Sequence, residues 1–379
     1  MIVVVSGCIG RFPVGGNAWS VLQYLLGLRA LGHEVYYLEE SGEGSWVYDY
    51  EAEAITTDLA YPTRYVRDCL EPLGFGDRWI YRAGAESLGM PLARFRSICA
   101  DADLLIVLGS FLDLWRDEYD LPERRAFVDL DPGFTQARLA RGEVSVTGTV
   151  SRCERLFTVG QRLGRADCWI DLCGYRWLKT LPPISLEHWP WAEHGRATHL
   201  TSILQWRSYA AVDHGQRKLG NKDLEFPRFA DLPTRTDQPF LLALTADTEE
   251  PLSRFGWETV VGWKETLTPK DYQRFIQDSR AEFSVAKHGY VSSRSGWFSD
   301  RSVCYLASGR PVLVQDTGLS DCLPVGSGIL TFEDTASALR AIDELNRDYE
   351  SHRSAARAIA EEHFDATAVL DSLLARATS

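Results

Sequence analysis

The chain has 379 residues, a formal net charge of −13, 45% hydrophobic residues and 25% charged ones. That length suits about two domains, and that composition suits an ordinary soluble globular protein. The acidic balance argues against DNA, RNA or an anionic membrane surface as the main partner.

The opening run MIVVVSGCIG has few apolar residues and no basic ones, so it does not read as a secretion signal. No stretch of about eighteen apolar residues occurs, so no membrane span is expected. The eight cysteines are scattered without a CxxC pair. Reduced thiols in a cytoplasmic protein are the expectation, with no structural zinc and no cofactor. Twelve Trp and fifteen Tyr offer either core packing or stacking surfaces for sugars.

In chain order, residues 2–5 form a β-branched strand, buried on both faces. A loop with four glycines follows at 7–16, then a helix over 17–31 with Val21, Leu25 and Leu28 on one face, and a strand at 34–38. Strand, glycine loop, helix and strand open a doubly wound sheet. Gly15-Gly16 either lets backbone approach a ligand or only serves the turn. The spacing is not GxGxxG. Glu39 and Glu40 leave the second strand toward the crevice.

Further strands are read at 104–108, 126–130 and 156–159. Ser110 follows the first of these. Asp131, before Pro132-Gly133, is either a turn initiator or a crevice carboxylate able to take a hydroxyl proton. A linker rich in proline spans 181–191, with His188 and His194 read as structural or solvated.

A second α/β pattern begins near Thr198, with strands at 199–204 and 240–244. Arg207 leaves the first of these and either reaches a diphosphate or makes a surface ion pair. Thr268-Pro269 starts a helix that runs to 278. Residues 283–286 form a strand, 287–298 a polar loop, and Ser299 caps a helix over 300–308 that Gly309 ends. The strand at 311–314 runs into Asp316-Thr317-Gly318. The helix start at Asp300 to Ser302 concentrates unpaired amides and suits an anion, with Lys287, Arg294 and Arg301 nearby. Asp300 competes for those amides or takes hydroxyls. A strand at 328–332 and helices over 334–346 and 349–375, broken near 364–365, complete the chain.

The segment SGWFSDRSVCYLASGRP, residues 295–311, resembles the donor-binding segment of GT-B nucleotide-sugar glycosyltransferases. Gly15-Gly16, the helix after it and Gly32-His33-Glu34-Val35 resemble that family's opening. The resemblance implies an α/β GT-B fold, two doubly wound Rossmann-like domains facing a central cleft. Residues 1–190 would form the acceptor domain, with a closing helix at 364–379, and 191–363 the donor domain.

The resemblance further implies a hexosyl transfer from a nucleoside diphosphate sugar to a small-molecule hydroxyl, without metal or nucleic acid. A nucleotide-sugar epimerase and a non-catalytic sugar or nucleotide binder are the alternatives. Donor contacts are expected from Arg207, Lys287, Arg294, Ser295, Gly296, Trp297, Ser299, Asp300, Arg301, Ser302, Asp316, Thr317 and Gly318. Gly15 and Gly16 would face the acceptor or phosphate. Three departures stand out. Cys304 occupies the place of the family's ribose-binding glutamate. Arg294-Ser295-Gly296-Trp297 replaces His-Cys-Gly-Trp. No histidine occurs in the 7–16 loop. Asp131 or Glu39 is then the base if the reaction inverts, and the leaving diphosphate can take the proton if it retains. Oligomeric state is not legible.

Overall fold

The computed structural model describes residues 1–109, 112, 114–193, 197–215, 217–245 and 251–379. Ser110 and His194 lie outside these residues. Two parallel sheets organise the rest. In spatial order the first holds Trp177–Lys179, Arg155–Thr158, Arg124–Asp129, Leu104–Leu108, Ile2–Gly7, Glu34–Glu40, Trp79–Ala83 and Glu86–Gly89. Only the last strand runs antiparallel to its neighbour. The second sheet is parallel throughout, in the order Glu258–Val261, Phe240–Leu244, Leu200–Leu204, Ala281–Ser284, Val312–Gln315, Ile329–Phe332.

Local chemistry explains most element boundaries. The central strands are apolar runs because helices cover both faces of such sheets. Thr268 Oγ1 accepts the Asp271 amide at 3.1 Å, and Pro269 supplies the pre-set φ of a first helical residue, so the helix Pro269–Gln277 starts there. The first helix spans Gly15–Ala30, two residues earlier than the sequence suggests. It is apolar nearly all round, because one side meets the sheet and another meets the last helix. At Gly27 an added Cβ would lie 2.6 Å from Leu370 and 2.7 Å from Ala366 of that last helix, Ala366–Ala377.

The segment 287–298, expected as loop, contains the short helix His288–Ser293. The strand Trp79–Ala83 was not expected, since Arg82 interrupts its apolar run. Arg82 is 3% exposed and is neutralised by the equally buried Glu118.

The carboxyl ends of the two sheets face each other. Arg162, beyond Arg155–Thr158, donates its amide to the Ser295 carbonyl at 2.9 Å and its guanidinium to Asp321 in the second lobe. One continuous apolar cluster runs from Val3 and Leu22 through Trp189 and Tyr272 to Val303 and Leu306. The lobes therefore share a dry seam as well as a cleft.

Candidate active site

On the first lobe, Asp129 is completely buried at the end of its strand. It accepts from Thr135 Oγ1 at 2.7 Å, Thr158 Oγ1 at 2.8 Å, Gln136 Nε2 at 3.0 Å and the Asp131 amide at 3.0 Å. Burial raises its carboxyl above the ordinary range against the pull of these donors. Asp129 thus fixes the turn, and the turn presents Asp131 to the cleft.

Asp131 meets the other lobe directly. Tyr209 and Tyr290 both donate their hydroxyls to it, and Lys287 Nζ lies 3.4 Å away. Lys287 is also 2.6 Å from Tyr209 Oη and sits over the rings of Phe134, Tyr209 and Tyr290 at 5.1, 4.3 and 5.4 Å. Burial pulls the Lys287 ammonium below its ordinary range, while Asp131 opposes that pull. Its charge is held by an aromatic cage and a carboxylate across the cleft.

Glu39 is 1% exposed and accepts the Gly10 amide at 2.9 Å, the Arg11 amide at 2.7 Å and the Tyr37 hydroxyl at 2.6 Å. It holds the glycine loop from beneath, which is a positioning task. Burial pushes its carboxyl up to about 7. In the unfolded chain Glu39 would lose its proton near 4.5, and in the folded chain near 7. The stability it contributes is therefore complete below pH 4.5 and declines until pH 7. Glu39→Gln is expected to flatten the fall in melting temperature between pH 5 and 7.5 by about a few degrees. Parallel curves for the two proteins would show that Glu39 does not set this slope.

On the second lobe, Ser299 Oγ accepts the Arg301 amide at 3.2 Å, and the Asp300 carboxylate takes the same amide at 2.9 Å. One leading amide of the helix Asp300–Ala307 is thus already used. The Arg301 guanidinium, expected as a phosphate donor, is turned inward. It bonds Glu282 at 2.6 Å, Ser284 Oγ at 2.7 Å and the Ile203 carbonyl at 2.9 Å, which staples two neighbouring strand ends. Arg207 is paired with Asp223 at 2.7 Å at the surface. Arg294 has a left-handed backbone, φ 51°, and lies near Asp167 and Asp321, the acids that also bind Arg162.

Asp316 closes its own turn, accepting the Gly318 amide and the Ser320 hydroxyl, both at 2.7 Å. Thr317 Oγ1 donates to the Trp297 carbonyl at 2.6 Å, and the Thr317 carbonyl accepts the Gly296 amide at 2.8 Å. The hydroxyls of Ser295 and Ser302 are buried without a hydrogen-bond partner among the described residues. Gly296 and Gly318 both pack on Arg162 of the first lobe. Gly15 and Gly16 face the second lobe: added Cβ atoms would lie 2.3 Å from the Thr268 carbonyl oxygen and 2.7 Å from Tyr272. On the side a Cβ would occupy, their closeness is therefore to protein.

Sequence reasoning missed Lys222, which is 6% exposed behind the strand ends. No hydrogen-bond acceptor for its ammonium is found among the described residues. Burial, then the neighbouring Arg301 and Lys287 cations, push it well below the ordinary lysine range. Only tertiary packing buries it, so Asn221-Lys222-Asp223 gave no local signal.

Two cavities lie along the seam and share Leu130. The smaller, about 70 Å³, is bounded by Tyr24, Pro182, Trp297, Phe298 and Asp300. The larger, about 390 Å³, is lined by Asp131, Phe134, Arg138, Arg141, Tyr209 and Val212, among others. Among the described residues no three His, Cys, Asp or Glu side chains cluster as metal ligands, all eight cysteines are free, and no helix is long and apolar enough to cross a membrane.

Two Rossmann-like lobes with facing strand ends define the GT-B architecture. Residues 233–375 match the family model described as Glycosyl transferase-like. The chain has the GT-B fold, and its C-terminal region, residues 233–375, is similar to glycosyl transferases. Similar solved structures include an alpha-glucosyltransferase in complex with UDP, with TM-score 0.61, 11% identity, and 100% of this chain and 99% of that one covered. Anabaena HepE in complex with UDP and glucose gives TM-score 0.61, 13% identity and 99% coverage of both chains. Sucrose-phosphate synthase from Thermosynechococcus elongatus gives 0.57 and 12%, with 99% and 98% covered. At such identities the likeness concerns the fold. No curated protein matches by sequence.

Proposed function

We propose that the chain moves a sugar from a nucleoside diphosphate sugar of the UDP type to a small-molecule hydroxyl in the cleft, in the cytoplasm and without a metal. The observation that carries this reading is the 390 Å³ cavity with Asp131 in its wall, across from a second lobe that holds the buried Lys222 and the partly buried Lys287. Similar structures are bound to UDP, or to UDP and glucose. Related alpha-glucosyltransferase structures carry DNA, but a net charge of −13 opposes a polyanionic acceptor here.

In this reading the departing diphosphate needs cationic and amide donors. Lys222 and the helix start near Ser299 and Ser302 are the supporting groups, and Lys287 joins them if it leaves Asp131. Asp131 takes the acceptor proton. Closing the lobes excludes water. The test is incubation with UDP-glucose and measurement of UDP. Release only when an acceptor is present supports transfer. An isomerised donor would mean an epimerase, and binding without turnover would mean a binding protein.

Lys222→Met keeps the side chain's length and removes its charge. It is expected to weaken UDP binding about tenfold or more, since a charge-assisted contact is lost. Wild-type binding should also take up protons at alkaline pH, seen as heats that vary with buffer. Unchanged affinity and unchanged proton uptake in the variant would remove Lys222 from the site.

A further inference from the structure

We infer that the acceptor is a phenol bearing an anionic group, and that Tyr209 holds its place in this structure. This deepens the transfer reading above and rests on it. The first observation is the occupant of Asp131. Tyr209, from the second lobe, donates its phenol hydroxyl to the Asp131 carboxylate. Its oxygen is 2.6 Å from Lys287 Nζ, and its ring meets Phe134 edge-on at 4.9 Å. A phenol acceptor needs the same three things: a carboxylate for its proton, a cation beside its oxygen and an apolar wall for its ring. Tyr209 is 37% exposed, so it stands at the edge of the cleft, where a ligand can reach it.

The second observation is the cavity beyond. Leu130, Phe134, Ala210 and Val212 make an apolar wall large enough for one aromatic ring with substituents. Two arginines line the same cavity, and they differ. Arg138 is paired with Glu143 at 2.5 Å. Arg141 makes one hydrogen bond, to the Asp213 carbonyl at 3.4 Å, and no carboxylate pairs with it among the described residues. A guanidinium without an acid at a pocket mouth complements a carboxylate or sulfate, which it can hold with two parallel bonds.

The step balances with the donor alone. The phenol O–H proton passes to Asp131, and the phenol oxygen bonds the sugar's anomeric carbon. The bond from that carbon to the diphosphate breaks, and the diphosphate leaves with the electron pair. Lys287 steadies the charge growing on the phenol oxygen.

The experiment compares three probes by titration calorimetry, with UDP present: 4-hydroxybenzoate, its neutral amide, and 4-hydroxycyclohexanecarboxylate. We expect 4-hydroxybenzoate to bind about tenfold tighter than either of the others. Arg141→Ala should erase the preference over the amide. Equal binding of acid and amide, or no binding of either, would overturn the anionic requirement. Equal binding of the saturated ring would overturn the phenol. A gain of one hexose in the protein's mass with UDP-glucose alone, lost in Tyr209→Phe, would overturn the proposal in favour of the chain's own tyrosine as acceptor. Binding does not depend on turnover. Failure of UDP release with every donor would therefore sink the transfer reading and leave the binding ratios to judge this one.

Discussion

Asp131→Asn is expected to lower acceptor-dependent UDP release by about two to four orders of magnitude, the range for losing a positioned proton acceptor. The change keeps the shape and removes the charge. Tyr209 and Tyr290 donate to different carboxylate oxygens, so one hydroxyl can still donate to the amide oxygen while the other turns to accept from the new NH2. A merely structural role would show elsewhere, because Asp131 also pairs with Lys287 across the cleft. Lys287→Met breaks the same pair and leaves the carboxylate in place. Both variants are expected to slow the reaction, but if they lose lobe closure equally, by small-angle scattering, and only Asp131→Asn also loses the limb of the pH–rate profile that rises as a carboxylate deprotonates, the carboxylate is doing proton transfer. A loss below tenfold in Asp131→Asn would assign the proton to the departing diphosphate instead.

Gly15→Ala should open the protein. In an isolated helix the change would stabilise by up to about 1 kcal/mol. Here the new methyl would stand 2.3 Å from the Thr268 carbonyl oxygen and 2.7 Å from both Thr268 C and Tyr272 Cβ. Backbone cannot swing aside as a long side chain can, and forced overlap of this kind costs roughly 1–3 kcal/mol. The clash wins over the propensity. The expected result is a larger radius of gyration, unchanged helix content by circular dichroism, and at least tenfold slower UDP release at saturating donor. A variant with wild-type radius and rate would show that the lobes give way locally.

What was legible in the sequence was local. The Ser299 cap, the Thr268-Pro269 start and the apolar strands 104–108 and 240–244 each follow from neighbours within a few residues. The break near Phe364 was also legible, and a π-helical turn, Ala360–Phe364, stands there. The site was legible in outline only. Asp131 and Lys287 were both singled out, but 156 residues separate them, and no spacing rule joins them. Arg301 looked free because its partner Glu282 lies on another element, in a strand whose burial a single sequence does not reveal. Tyr209, Arg141 and Arg162 carry no motif. Their meaning comes from the way one lobe seats on the other.

The linker between the sheets is not a loose tether. Arg310 holds the Glu193 carbonyl at 3.1 Å, Arg357 holds that of Trp189 at 2.8 Å, and Arg353 holds that of Ala192. The later half of the linker is therefore fastened to the second lobe. The earlier half is fastened at Ile184, whose amide and carbonyl pair with the Phe364 carbonyl and the Ala366 amide at 2.8 and 2.9 Å. Outbound and returning chain cross side by side at this point. The linker is thus tied to its neighbours along its length, and a change of angle between the lobes must bend or break these bonds. Removing the chain after residue 363 would break this crossing and bare the face of Gly15–Ala30 that Ala366–Ala377 covers.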